Sequence, residues 1–334
     1  CGSRFTANDE NSIRYGLAAI KGVGTQASEA LVAGRVQGVY RNLLDFCRRI
    51  DLRKVNRRAV EALIRAGAMD CLGQGRGVLM ASLPEVLRAV EQEATSQNCG
   101  QVDLFGPVEE RSFSVVAVSA THREWGEEQR LAAEKEVLGF YLSGHPVNRY
   151  LAELFKLVSS PLLGLTPGAR RVAGLITQLR NNKGRRGRVV VATLDDNTAR
   201  VEVVVFEEVL RQCEAALRKD QLVVVEGTCA VDEFSDALNI TADSILDLDA
   251  ARGKFAKELV IRAESRSMTR ESLEGLKETL EPYCGGSCPV TMVYSDGCAS
   301  ARLRLGRDWC VRLSEVLIER LQRSFGGSSV SIEY

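Results

Sequence analysis

The chain has 334 residues, with 44 Lys+Arg against 44 Asp+Glu and a formal net charge of +0, so no global field selects an acidic or a basic partner and any basic surface must be local. Hydrophobic residues make up 45%, ordinary for globular protein, and no run of about 18 apolar residues occurs, which excludes a membrane-spanning helix. The length exceeds one compact core and, at about 100–200 residues per domain, predicts two or three.

In chain order, residues 4–7 and 12–15 flank the polar Asn8-Asp9-Glu10-Asn11 and predict a β-hairpin that closes a segment 1–16. Helical spacing follows at Leu17, Ala18 and Ile20, and again at Ala27, Ala30 and Leu31. Between them, Ile20-Lys21-Gly22-Val23-Gly24-Thr25 joins two helices through paired glycines. Glycine permits positive φ and lets a backbone approach a phosphate without a Cβ in the way. The amides then face outward near a helix N-terminus, and Lys21 adds a charge, a pattern suited to sequence-independent duplex binding. The alternative is a glycine turn serving helix packing alone.

A second helical pair runs through residues 43–47 and 55–66, completing a tandem helix-hairpin-helix region over 17–95. Its hairpin is degenerate. Its basic run, Arg53-Lys54-Val55-Asn56-Arg57-Arg58, suits either a solvated face or a DNA face. Residues 78–94 form an amphipathic helix with Leu79, Leu83, Val86, Leu87 and Val90 on one side.

Residues 96–121 are a polar linker carrying Gln101-Val102-Asp103-Leu104-Phe105. Leu104 and Phe105, beside the amide of Gln101 and the carboxylate of Asp103, would be an apolar anchor for a pocket on another protein. The alternative is a strand end whose Leu-Phe pair caps the local core. Periodicity resumes at 127–142 and stops at Ser143-Gly144-His145-Pro146, giving a helical connector over 122–168.

From Arg171 the period is two. Residues 172–178, 188–194, 199–206, 222–230 and 237–248 predict five strands, with a helix at 207–219 after the third, the order of an OB-fold barrel over 169–250. Its first turn, Arg180-Asn181-Asn182-Lys183-Gly184-Arg185-Arg186-Gly187-Arg188, places Lys183, Arg185, Arg186 and Arg188 at the barrel mouth. Phe206 is the sole aromatic on the second and third strands, so the expectation is weak, salt-sensitive contact with single-stranded DNA, or a merely solvated loop. Asp195-Asp196 resembles a metal pair, but a β-turn explains both residues.

Residues 255–334 form a small α+β domain, with strands at 259–263, 290–294, 301–305, 310–313 and 330–334 and helices at 270–280 and 314–325. The fold class expected is thus multidomain α+β: a helical tandem helix-hairpin-helix region, an OB-fold β-barrel and a small C-terminal α+β domain.

Ten cysteines are scattered, several in apolar periodic segments, and no secretion signal opens the chain; a reducing cytoplasm is expected. Cys284, Cys288, Cys298 and Cys310 depart from standard zinc spacing, so no metal is assigned. No Walker loop, Gly-x-Ser-x-Gly elbow or His-Glu-x-x-His helix occurs, so no catalytic residue is assigned. His145, before Pro146, is expected at a helix exit.

Four segments resemble the C-terminal part of the bacterial C-family replicative polymerases, the DNA polymerase III α subunits. They are residues 13–24 (IRYGLAAIKGVG), the stretch from Asn56-Arg57-Arg58 to Ala66-Gly67-Ala68-Met69-Asp70, Gln101-Val102-Asp103-Leu104-Phe105, and residues 134–146 (EKEVLGFYLSGHP). The resemblance implies that the chain is a C-terminal fragment or a cut piece of a longer protein. It implies that segment 1–16 ends the fingers region and that Lys21, Gly22, Val23, Gly24 and Thr25 grip duplex DNA. Gln101, Asp103, Leu104 and Phe105 would bind the β sliding clamp, the barrel would lie near the single-stranded template, and residues 255–334 would bind the clamp-loader τ subunit. The palm, whose aspartates hold magnesium, would precede Cys1, leaving this chain with no cofactor and no catalysis of its own. The alternatives are a nucleic-acid processing enzyme using Asp195, Asp196 and Asp232, or a repair-associated polymerase paralogue.

Overall fold

Two asparagines and a glycine start the first three α-helices in the computed structural model, which describes residues 2–9, 11–98, 124–184, 187–232, 237–264, 269–296 and 299–334. The chain forms two compact units, Cys1–His145 and Pro146–Tyr334. In the first, β1 (Thr6–Asp9) and β2 (Ser12–Arg14) pair antiparallel as an exposed hairpin. A 3-10 turn, Leu17–Ala19, precedes α1 (Thr25–Gly34), so the first helix of the expected pair is one turn long.

Asn42 caps α2 (Leu43–Arg49) by accepting from the Asp45 amide at 2.8 Å, and Asn56 caps α3 (Arg57–Arg65) by accepting from the Ala59 amide at 3.0 Å. α4 runs Arg76–Asn98, longer at both ends than its apolar stripe predicts, and α5 spans Glu127–Leu138. Leu17, Ile20, Val23, Leu31, Phe46, Val55, Leu63, Leu79, Leu83 and Val137 build one core. Each such side chain stabilises the unit by about 1.5–3 kcal/mol, and truncating the fully buried Leu79 to alanine would cost about 2–5 kcal/mol. The stretch expected as a single connector is divided: α5 belongs to the first unit, and the chain from Pro146 to the second.

In the second unit a 3-10 turn (Pro146–Tyr150) leads into α6 (Leu151–Leu157). The barrel then follows: β3 (Gly168–Gly184), β4 (Gly187–Asp195), β5 (Arg200–Phe206), α7 (Glu207–Cys213), β6 (Leu222–Val231) and β7 (Leu238–Asp247). It closes in the order β3-β4-β5-β7-β6, with β5 and β7 parallel and the other pairs antiparallel. Alternation drives this: Val201, Val203 and Val205 face inward while Arg200, Glu202 and Phe206 are exposed. α7 stops six residues before the expected end, where Ala216 and Leu217 turn back onto the Cys213 carbonyl.

Asp247 caps α8 (Leu248–Phe255). β8 (Glu258–Glu264), α9 (Arg270–Leu280), β9 (Cys284–Cys288), β10 (Val290–Ser295), β11 (Ser300–Arg304), α10 (Glu315–Phe325) and β12 (Val330–Glu333) complete the chain. The sheet order is β11-β10-β8-β12, with β8 and β10 parallel. Here the expectation of a strand at 310–313 is corrected. Only Val311 is bridged, to Cys284 and Cys288, because the small Cys284-Gly285-Gly286-Ser287 backbone wraps it. The Gly286 amide donates to the Cys310 carbonyl at 3.1 Å, and a Cβ at Gly286 would overlap the Val311 backbone.

A buried ionic cluster ties this domain to its neighbours within the unit. Arg252 on α8 is 1% exposed and forks onto Glu153 of α6 at 2.7 Å through both Nε and Nη2. Its Nη1 donates to Glu315 of α10 at 2.6 Å and to Asp249 at 3.0 Å. The Tyr334 hydroxyl also donates to Glu153.

Candidate nucleic-acid interface

The hairpin Ile20–Thr25 owes its shape to two buried apolar side chains. Ile20 and Val23 are 3% and 1% exposed, which turns Lys21, Gly22, Gly24 and Thr25 outward. Gly22 has φ +95, and a Cβ there would lie 3.6 Å from Ala62 Cβ on α3. The Lys21 amide donates to the Val137 carbonyl at 2.9 Å, so α5 holds the hairpin from its other side.

Gly24 has a different reason to be glycine. Its φ of −69 suits any residue, and no atom lies within 4 Å of a Cβ built on it. As the N-cap of α1 it offers no side chain to the helix amides, although Asn, Asp or Ser would satisfy one. Among the described residues, no hydrogen bond takes the amide of Gly22 or Gly24. Glycine here forgoes a cap and leaves open space and two unspent amides on the same exposed hairpin as Lys21, an arrangement suited to a phosphate oxygen.

The second hairpin repeats the frame without the opening. Val55, 0% exposed, takes the place of Val23, and Asn56 takes the place of Gly24 and fills its own cap. The Lys54 and Val55 amides are both spent on the Asp51 carbonyl. Arg53 and Arg57 lie exposed beside carboxylates, Asp51 at 3.4 Å and Glu61 at 2.8 Å. Lys54 also acts on the Asp51 carboxylate, and among the described residues Arg58 forms no ion pair.

Sequence reasoning missed the residue that braces this region. Glu134 on α5 is 0% exposed, and its Oε1 accepts from Arg76 Nη1 at 2.9 Å. Its Oε2 accepts from the amides of Leu142 at 2.7 Å and Ser143 at 2.9 Å. Arg76 also forks onto Asp70 and reaches the Arg65 carbonyl at the end of α3. Burial pushes the Glu134 carboxyl up, but the Ser143 and Leu142 amides and Arg76 outweigh it and hold it below the ordinary 4.5. A glutamate three residues from both Leu131 and Val137, on the side of α5 that they bury, was the available signal. His145, 7% exposed, stacks edge-on to Tyr141 at 5.6 Å.

At the barrel, Arg188 is exposed, 3.6 Å from Glu214, with its amide donating to Glu207. Arg180 pairs with Glu202 at 2.8 Å, and Arg200 with Asp195 at 2.7 Å. Lys183 lies on β3 with its side chain outside the described residues, as are Arg185 and Arg186 altogether. Gln101, Asp103, Leu104 and Phe105 likewise lie outside the described residues.

The carboxylates weighed for metal chemistry have structural work. Asp195 accepts from the Asn197 amide, and Asp196 accepts from the Thr198, Ala199 and Leu162 amides, as the turn reading expects. Burial raises the Asp196 carboxyl, and the Leu162 amide with the Thr198 hydroxyl more than reverses it, to below the usual 3.8. Asp232 accepts from Asn239 Nδ2 at 3.3 Å. Among the described residues no His, Cys, Asp or Glu group is arranged to hold a metal ion. Nor does any helix there have the length and apolarity to cross a membrane.

The helix-hairpin-helix motif family matches residues 1–79, the OB-fold nucleic acid binding domain 171–248, and the DNA polymerase III subunit alpha C-terminal domain 275–326. The DNA polymerase III subunit alpha of Vibrio cholerae serotype O1 is 40% identical over 99% of this chain and 29% of its own length. That of Escherichia coli K12 is 39% identical over the same shares. The chain thus spans about 29% of the length of the curated relatives it matches. Among solved structures, asparaginyl-tRNA synthetase from Pyrococcus horikoshii is similar at 20% identity and a TM-score of 0.23, over 27% of this chain and 22% of that one.

Proposed function

We propose that this chain, a relative of the C-terminal part of the DNA polymerase III α subunit, is the DNA- and partner-binding portion of a replicative polymerase, gripping duplex through its first helix-hairpin-helix. The observation that carries this reading is Gly24: neither backbone conformation nor packing requires a glycine there, yet it keeps the Lys21–Thr25 surface open to a phosphate. Lys21, Gly22, Gly24 and Thr25 make the contact, and Val23 anchors the hairpin from below. Such contacts position a duplex without reading its sequence.

Gln101, Asp103, Leu104 and Phe105 serve in this account as a peptide for the β sliding clamp, and the C-terminal domain as the site for the τ subunit of the clamp loader. The match of residues 275–326 to the polymerase's C-terminal domain supports the second assignment. Tethering of this kind works through effective concentration, so a weak peptide suffices to keep the enzyme on its track. Contact between the barrel and the single-stranded template is weak, because Arg180, Arg188 and Arg200 each face a carboxylate. Polymerisation, with its magnesium, belongs to a part of the polymerase outside this chain, in the cytoplasm.

Two titrations test the account. Labelled duplex oligonucleotide should bind the chain with a salt-dependent affinity, and Lys21→Ala should flatten the salt slope by about 1. Labelled chain should bind purified bacterial sliding clamp, and the Leu104→Ala/Phe105→Ala double variant should not. Clamp binding that survives the double variant would remove the peptide from the account.

A further inference from the structure

We propose that Glu134 is a positioning residue for the duplex grip: by locking α5 to α3 and α4 it fixes the carbonyl that holds the Lys21 amide, and so sets where the hairpin presents its open amides. The inference rests on the duplex-binding reading of that hairpin.

Four segments meet at one carboxylate. Through Arg76, Glu134 reaches the last turn of α3 at the Arg65 carbonyl, the Asp70 turn and the start of α4. Through its other oxygen it gathers the chain after α5 at Leu142 and Ser143. One turn further along α5, the Val137 carbonyl takes the Lys21 amide at 2.9 Å, while α3 backs the same hairpin where Gly22 faces Ala62. The hairpin is therefore clasped between two helices whose separation is set by the buried Arg76–Glu134 pair. Both members are shielded from water, so the bond is not screened as a surface pair would be. By contrast, Arg65 and Glu136 join the same two helices at 3.0 Å on the exposed side, where an ion pair contributes little. Replacing Glu134 leaves Arg76 with one carboxylate, frees the 142–143 turn and lets α5 shift, carrying Val137 away from Lys21. A displacement of this order at a preorganised contact is felt in affinity although Glu134 never touches DNA.

The test compares Glu134→Gln with Glu136→Gln in the full chain, reading duplex affinity and amide hydrogen exchange together. Glu134→Gln should weaken duplex binding about tenfold, the scale of one lost charge-assisted phosphate contact. It should also abolish protection of the Lys21 amide, and Glu136→Gln should do neither. In the unsubstituted chain the Lys21, Leu142 and Ser143 amides should open together, which tests the coupling even if Glu134→Gln fails to fold. Duplex affinity and Lys21 protection both unchanged in a folded Glu134→Gln would overturn the proposal while the grip stands. Independent opening of Lys21 and Ser143 in the unsubstituted chain would also overturn it. No duplex binding by the unsubstituted chain would instead remove the grip itself, and the positioning role with it.

Discussion

The amide of Lys21 and the carbonyl of Val137, 116 residues apart, form a 2.9 Å hydrogen bond that fastens the first hairpin to a helix from beyond the linker. That bond turns a local glycine motif into a held surface, since it adds a long-range anchor to the buried Ile20 and Val23.

Gly22 and Gly24 should respond unequally to alanine. Gly22→Ala places a Cβ at φ +95 and should cost about 1–2 kcal/mol. Gly24→Ala meets neither strain nor a neighbouring atom, only the preference of an N-cap for glycine over alanine, and should cost less than Gly22→Ala, under about 1 kcal/mol. Urea unfolding of the two variants checks this; equal losses would mean that Gly24 has a packing role.

Acid should weaken the first unit through Glu134. A carboxyl held below its unfolded value of 4.5 stabilises the fold above that pH and stops doing so as pH falls through the lower folded value. The unfolding midpoint should therefore drop as pH is lowered below about 4.5, and Glu134→Gln should lessen that dependence. Calorimetry between neutral and acid pH reads it, and identical slopes would show that Glu134 contributes nothing to it.

Arg252→Met should destabilise the second unit by about 3 kcal/mol, because it takes the guanidinium fork away from the largely buried Glu153. Arg149→Met, whose partners Glu315 and Glu319 remain solvated, should cost under about 1 kcal/mol. Comparable losses in denaturant titration would contradict the ranking.

Among the cysteines of the described residues, Cys71 should react first with iodoacetamide, being exposed. Burial pushes the Cys47 thiol up to about 12 and the Cys288 thiol up to about 11, so neither supplies a thiolate near neutral pH. Mass spectrometry of the partly labelled chain should find Cys47 and Cys288 modified only after denaturant is added.

The barrel was legible because strands such as β5 alternate, with Val201, Val203 and Val205 buried between exposed residues. β9 was not, because Cys284-Gly285-Gly286-Ser287 carries no strand signal and owes its shape to wrapping Val311. The continuation of β3 through Asn181 and Asn182 was hidden for a related reason, since both residues are exposed and polar. The paired glycines of the first hairpin stood out in the sequence, but not the ion pair that braces it. Arg76 and Glu134 are 58 residues apart, and nothing local to either identifies the other. Clusters such as that around Arg252, which joins residues 99 and 63 positions away, belong to tertiary structure alone.

The most direct test of the duplex grip is the affinity of Gly24→Asn for a labelled duplex, measured beside its thermal midpoint. Asparagine would cap α1 as Asn56 caps α3, so stability should hold or rise by a few tenths of a kcal/mol. Its side chain would spend an amide and fill the open space, so duplex affinity should fall by about tenfold or more. Unchanged affinity in a fully folded variant would contradict the account, leaving the first hairpin a helix-packing turn.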